Sequence, residues 1–282
     1  MSSPIPDSQF PIPGLTAFIG GGNMARSLIG ALIGGGVDAR SISVAEPNAG
    51  LRDALAHDFG VAVHAQARAA VAGAHAIVLA VKPQVMKAVC ADLRDEIAAT
   101  RPLVLSIAAG IRIEQLRDWL GDTPIVRAMP NTPALIGAGA SALIASADTN
   151  PAQRERAAAI LGAAGVIVWI EEEDDMDTVT ALSGSGPAYF FLLVEALEDA
   201  AVAQGLPREA ARMLAAQTCL GAGRMLVEAG EAPATLRERV TSPGGTTAAA
   251  LAAFADGGLR ELALAAVAAA TARGRELSAQ FS

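Results

Sequence analysis

The clearest chemistry near the start of the chain lies in Gly20-Gly21-Gly22-Asn23-Met24-Ala25, a GxGxxA loop running out of the apolar stretch Leu15–Ile19 and into a helical pattern. Gly20 permits a tight turn, Gly22 lets a pyrophosphate approach the backbone, and Ala25 allows close packing of helix on strand. The helix start supplies N–H donors and the positive end of a dipole. Such a loop at the first strand of an alternating series reads as a dinucleotide site. Glu46, at the tip of the second apolar run, would accept a hydrogen bond from a ribose 2′-OH and favour NADH. Alternatively, Arg40 or Arg52 would hold a 2′-phosphate and favour NADPH.

Later strand ends should line the same crevice. They read Ala80-Val81-Lys82-Pro83, Ile107-Ala108-Ala109-Gly110 and Met129-Pro130-Asn131-Thr132-Pro133. Pro83 stops its strand and leaves Lys82 at the edge, within reach of a cofactor ribose or phosphate. Asn131 and Thr132, held between prolines, either face the nicotinamide or build a rigid loop through local side-chain-to-backbone bonds.

Two polar stretches interrupt alanine-rich helical sequence further on: Ser183-Gly184-Ser185-Gly186-Pro187-Ala188-Tyr189 and Thr241-Ser242-Pro243-Gly244-Gly245-Thr246-Thr247. Glycine and proline are costly inside a helical bundle, so both read as site loops. The second gathers hydroxyls and backbone N–H groups at a helix start, which suits a small carboxylate.

What is scarce narrows the chemistry. The lysines are Lys82 and Lys87, the histidines His57, His64 and His75, and the one tyrosine is Tyr189, with Leu193 four residues on. A Tyr-x-x-x-Lys mechanism therefore fails, as does a hydroxy-acid dehydrogenase with a His or Lys acid/base in its second half. No histidine adjoins a nucleophile-elbow pattern. An enzyme built this way must run a reaction that asks little acid/base help from the protein.

The elements that position these loops follow from periodicity. Strands are expected at Leu15–Ile19, Ile42–Glu46, Val61–Val63, Ala76–Val81, Leu103–Ile107, Ile125–Arg127, Ala142–Ala145 and Val166–Ile170, with helices at Met24–Ile33, Ala49–Asp58, Val85–Ala98 and Pro151–Leu161. Continuous apolar strands joined by helices indicate an α/β fold, a Rossmann-type doubly wound parallel sheet covered on both faces. From the acidic run Glu171–Asp175 onward the pattern is all-α: Asp174–Gln204, Pro207–Ala229, Gly245–Ala255 and Leu259–Leu277. These alanine-rich helices have too few bulky side chains for a large core of their own, so burial against a second copy of the chain is expected. The organisation is a disordered tail over residues 1–13, a dinucleotide-binding domain over 14–172 and a helical substrate and dimerisation domain over 173–282.

Composition fits this plan. The 282 residues are 52% hydrophobic, 18% charged and 4% aromatic, which excludes a disordered chain, and the formal charge of −8 argues against nucleic-acid or anionic-membrane partners. Cys90 and Cys219 show no metal or redox spacing, and the Ser/Pro-rich start has no signal-peptide h-region. A cytoplasmic location and no metal are the expectations.

Ile19-Gly20-Gly21-Gly22-Asn23-Met24, Ala80–Pro83, Ala108–Gly110, Met129–Pro133 and the two polar loops, in this order from Leu15 to Leu277, resemble the pyrroline-5-carboxylate reductase family. The resemblance implies a Rossmann domain followed by a helical domain that interlocks with its mate in a homodimer, in some cases within larger rings. It also implies reduction of 1-pyrroline-5-carboxylate to L-proline, the last step of proline biosynthesis, with NADPH or NADH. By that similarity Ile19, Gly20, Gly21, Gly22, Asn23, Met24, Ala80, Val81, Lys82, Pro83, Ile107, Ala108 and Ala109 contact the cofactor. Ser242, Gly244, Gly245, Thr246 and Thr247 belong to the substrate loop, with Ser242 and Thr247 as the catalytic candidates and Thr247 near the ring nitrogen. The family often has a small or basic polar residue after the second strand, where this chain reads Glu46-Pro47-Asn48, and commonly a polar side chain near Ala67. A protonated cyclic imine is already electrophilic, which matches the shortage of acid/base groups. The competing readings are a β-hydroxy-acid reductase, which wants a catalytic lysine absent from the helical half, and a dinucleotide sensor, which has no use for the second polar loop.

Overall fold

The computed structural model describes residues 12–281; most of the expected N-terminal tail, residues 1–11, lies outside the described residues. Two compact units emerge, Ser185–Ala269 and a sheet unit of residues 12–184 with 270–281.

The sheet unit is an eight-stranded sheet of order β3-β2-β1-β4-β5-β6-β7-β8. Its strands are β1 (Leu15–Ile19), β2 (Ile42–Ala45), β3 (Ala62–His64), β4 (Ala74–Leu79), β5 (Leu103–Ser106), β6 (Ile125–Met129), β7 (Gly139–Ala145) and β8 (Gly165–Trp169). Its helices are α1 (Asn23–Gly34), α2 (Ala49–Phe59), α3 (Ala67–Val71), α4 (Pro83–Thr100), α5 (Ile113–Leu120), α6 (Pro151–Gly162) and α7 (Met176–Val179).

Successive residues of a strand point to opposite faces, and here both faces are covered. Phe18, Val44, Val78 and Leu105 pack with Leu28 and Leu32 of α1 and Ile160 of α6. Ile19, Ile77, Leu79 and Val104 pack on the other side with Met86, Leu93 and Ile97 of α4 and Leu116 of α5. Truncating a fully buried residue such as Phe18 to alanine would cost about 3–5 kcal/mol. Helix boundaries follow side-chain chemistry: Asn48 caps α2 through the Leu51 N–H, and Asn150 and Gln153 form a capping box on α6, with Pro151 in its first turn.

The sheet departs from the expected all-parallel form at one ladder, where β6 and β7 run antiparallel. Only residues 130–138 connect them, fewer than the dozen or so that a parallel crossover needs. The 3₁₀ turn Thr132–Ile136 reverses the chain instead, and α6 then returns it so that β8 pairs parallel with β7.

The helical half also differs from expectation at its start. The helix expected over Asp174–Gln204 is broken into a 3₁₀ turn Glu173–Asp175, α7, a π turn Thr180–Gly184 and α8 (Gly186–Ala203). Glycines at 184 and 186 and the missing N–H of Pro187 end the regular ladder. Then come α9 (Arg208–Glu228), α10 (Pro233–Arg239), α11 (Thr246–Asp256) and α12 (Leu259–Ala279), whose last residues belong to the sheet unit.

The Ser185–Ala269 unit has almost no interior. Gly186 and Glu198 are the buried residues of α8, Ala211 is that of α9, and α11 has none. Phe190, Phe191, Leu192, Met213, Leu214 and Val227 are all exposed. Glu198 joins α8 to α9 through Arg208 at 3.1 Å and Arg212 at 3.2 Å, and these two arginines hold its carboxyl below the usual carboxylate range. No helix among the described residues is long and apolar enough to cross a membrane.

Candidate functional site

The glycine loop sits at the topological switch of the sheet, where β1 is flanked by β2 and β4. Gly20 has φ +100°, and a Cβ there would lie 2.7 Å from the Ala80 carbonyl oxygen, so only glycine fits. Its N–H donates to the Ala45 carbonyl at 2.8 Å and the Ala80 N–H donates to Ile19 at 2.8 Å, which ties the tips of β2, β1 and β4 together.

Gly22 is the opposite case. It caps α1 with φ −69° and ψ −177°, geometry any residue adopts, and nothing lies within 4 Å of the Cβ it lacks. No side chain caps α1 and its first turn carries no acidic residue. Its leading N–H groups are therefore presented to an anion with room to approach, and the loop fits a dinucleotide pyrophosphate. Asn23 is exposed and Met24 half-buried at the same edge, while Ile19 and Gly21 are buried beneath it.

The other expected cofactor segments end on the same side. Lys82 is exposed and caps α4, with Pro83 opening that helix and Ala80 and Val81 half-buried before it. After β5, Ile107 is half-buried with its N–H on the Leu79 carbonyl at 3.2 Å, Ala108 is 6% exposed and Ala109 is open. Parallel pairing of β1, β4 and β5 thus brings all three segments to one rim of the sheet.

Glu46 is bound into this rim. Its Oε2 accepts the Gly21 N–H at 2.8 Å and its Oε1 accepts the Asn48 N–H at 2.9 Å. Arg52 donates from Nη1 to the carbonyls of Glu46 and Pro47, both at 2.8 Å. Arg40 pairs with Asp38 at 2.6 Å, and that hydrogen-bonded ion pair pulls the Asp38 carboxyl down to about 2.

Asn131 resolves into a brace. Its Nδ2 donates to the Ser183 carbonyl at 3.0 Å and its Oδ1 accepts the Ala140 N–H at 2.9 Å. Gly184 then lies so close that a Cβ would sit 2.6 Å from Met129 Cε. Ser183 and Gly184 are therefore seated on the end of β6, and the bonds of Asn131 are tertiary, not the local ones the rigid-loop reading expected. Sequence reasoning also missed a second anchor: buried Arg127 donates to Glu173 at 2.8 Å, and Glu173 accepts the Ile113 N–H at 2.9 Å. An arginine inside an apolar strand facing a later acidic run was the available signal, since a buried charge needs a partner.

The second polar loop belongs to the helical unit. The Gly245 N–H closes a turn on the Ser242 carbonyl at 3.0 Å, and Gly245 then caps α11 in extended geometry. Again no side chain caps the helix and its first turn holds no acidic residue. Thr247 is half-buried, while Ser242, Gly244 and Thr246 are exposed. Cys90 lies inside the α4 packing, where burial pushes its thiol up to about 12 and removes it from the chemistry.

Comparison with known proteins covers both halves. Residues 173–277 match the family model described as pyrroline-5-carboxylate reductase dimerisation, and residues 16–110 match one described as NADP oxidoreductase, coenzyme F420-dependent. The chain is 49% identical over 266 residues to a pyrroline-5-carboxylate reductase of Pseudomonas aeruginosa, covering 94% of this chain and 97% of that one. A solved pyrroline-5-carboxylate reductase from Coxiella burnetii superposes with a TM-score of 0.91 at 43% identity, covering 94% and 98% of the two chains. A pyrroline carboxylate reductase from Plasmodium falciparum, solved with NADP bound, superposes with a TM-score of 0.82 at 27% identity over 95% and 99%.

Proposed function

The chain belongs to the pyrroline-5-carboxylate reductase family, and on that premise we propose that it is an oxidoreductase acting on a C=N bond. It reduces 1-pyrroline-5-carboxylate to L-proline with NADPH or NADH, the closing step of proline biosynthesis. The observation that carries this reading is the pair of open helix starts. The α1 and α11 helices are each capped by glycine, each lacks a capping side chain and each lacks first-turn acid. One suits a diphosphate and the other a small carboxylate.

In this reading the Ile19–Met24 loop, Ala80–Pro83 and Ile107–Ala109 hold the dinucleotide, which supplies a hydride when bound. The loop from Ser242 through Gly244, Gly245 and Thr246 orients the substrate carboxylate with backbone N–H groups and the Ser242 hydroxyl. Thr247 Oγ1 accepts the hydrogen bond of the protonated ring nitrogen and fixes the imine carbon for attack. Positioning replaces acid/base catalysis, because the substrate nitrogen already carries its proton.

The reading also takes residues 14–172 as the cofactor domain and 173–282 as a helical domain completed by a second copy of the chain. Support for that homodimer comes from the coreless Ser185–Ala269 unit, whose α8 and α9 leave Phe190, Phe191 and Leu192 uncovered. A cytoplasmic location accords with the two free cysteines, Cys90 and Cys219. The test is direct. Purified chain mixed with the cyclic imine and reduced dinucleotide should consume dinucleotide and form L-proline one for one. Dinucleotide consumption without proline would overturn the proposal.

A further inference from the structure

We infer that Glu46 sets the donor preference of this chain, excluding the 2′-phosphate and making NADH the better ligand; this rests on the reductase reading above. The carboxylate cannot swing aside without cost. Its two oxygens hold the N–H groups of Gly21 and Asn48 at 2.8 and 2.9 Å, and the Gly21 residue is buried. Its own N–H donates to the His64 carbonyl at 2.9 Å, which fixes the backbone at the tip of β2. Its Cβ and Cγ pack so closely under the loop that a Cβ on Gly21 would meet each at 3.2 Å.

A carboxylate has about four acceptor positions, so after these two bonds it retains acceptor capacity for a pair of ribose hydroxyls. A 2′-phosphate offers the reverse chemistry. It adds about two negative charges and further acceptors, and these would face a fixed anion.

The two arginines nearest in sequence to Glu46 already have partners. Arg52 spends Nη1 on the carbonyls of Glu46 and Pro47, bracing the loop from behind. Arg40 is paired through Nε and Nη2 with Asp38. The Plasmodium falciparum relative was solved with NADP, and residues 16–110 of this chain match a family model described as NADP oxidoreductase, coenzyme F420-dependent. The discrimination rests on the Glu46 contacts of this chain alone.

Binding, not turnover, tests this. The full chain is titrated with NADH and with NADPH by fluorescence, and in parallel with adenosine 5′-monophosphate and adenosine 2′,5′-bisphosphate by calorimetry. NADH should bind at least tenfold more tightly than NADPH, and the monophosphate more tightly than the bisphosphate. Glu46→Gln keeps an acceptor for Gly21 and removes the charge, so it should tighten NADPH and bring the ratio within about threefold of unity. Wild-type chain that binds both dinucleotides equally, or NADPH more tightly, overturns the inference and leaves the reductase reading standing. A folded Glu46→Gln chain, judged by its melting curve, with the wild-type ratio also overturns it. Binding of neither dinucleotide would overturn both readings.

Discussion

Replacing Gly22 with alanine separates cofactor space from fold stability, because the two demands fall on different glycines of one loop. At Gly22 the backbone has φ −69°, and a methyl group would meet nothing within 4 Å. Alanine is a poorer helix cap than glycine by about 1 kcal/mol, while loss of unfolded-state freedom returns about 0.4–1 kcal/mol. These nearly cancel, so Tm should stay within about 3 °C of wild type. The methyl group would nevertheless stand where an anion must approach the α1 N–H groups. Losing one charge-assisted hydrogen bond costs about 1.5–3 kcal/mol, or about 10- to 150-fold in Kd. Fluorescence titration with NADH, beside a thermal melt, reads both quantities on the same sample. A Gly22→Ala chain that melts normally and binds NADH as tightly as wild type would refute the placement of the diphosphate at this loop.

Gly20→Ala should behave in the opposite way: positive φ and a Cβ 2.7 Å from the Ala80 oxygen predict a loss of about 2–5 kcal/mol in urea unfolding. Thr247→Ala should lower kcat/KM by about 10- to 150-fold, the cost of one hydrogen bond to a charged group, with NADH affinity unchanged by titration. Phe191→Arg places a charge on the uncovered α8 surface, so sedimentation should show a lighter species than the wild-type dimer. A wild-type chain that sediments as a monomer at micromolar concentration would remove the dimer from the account.

Much of the sheet unit is legible because its information is local. The GxGxxA loop has its meaning at the first strand, and β1 occupies Leu15–Ile19 as expected. The β2, β4 and β5 boundaries shift by a residue or two, since an apolar run does not say where pairing stops. The direction of β7 was invisible for a related reason: a fully buried run reads the same either way, and only the short link from Met129 to Gly139 forces the reversal. The five residues of α3 and the eight of α5 are too few for periodicity to reveal. Within the site, residue types marked the loops, but the partners of Asn131 and Glu46 are tertiary facts. Asn131 bridges to Ser183 across 52 positions and Glu46 reaches back 25 to Gly21, separations over which sequence spacing carries no signal. The alanine-rich composition suggested the wrong reason for the missing core of the helical unit: bulky side chains are present there, among them Phe190, Phe191, Leu192, Met213 and Leu214, but they are exposed.

The central claim is that the chain transfers hydride from a nicotinamide to the imine carbon of a small cyclic imino acid. The most direct measurement supplies NADH bearing two deuterium atoms at nicotinamide C4 together with 1-pyrroline-5-carboxylate, and analyses the product by mass spectrometry and NMR. The account predicts L-proline one mass unit heavier, labelled on the ring methylene next to nitrogen and remote from the carboxylate. Unlabelled proline, or a label elsewhere in the ring, would contradict it.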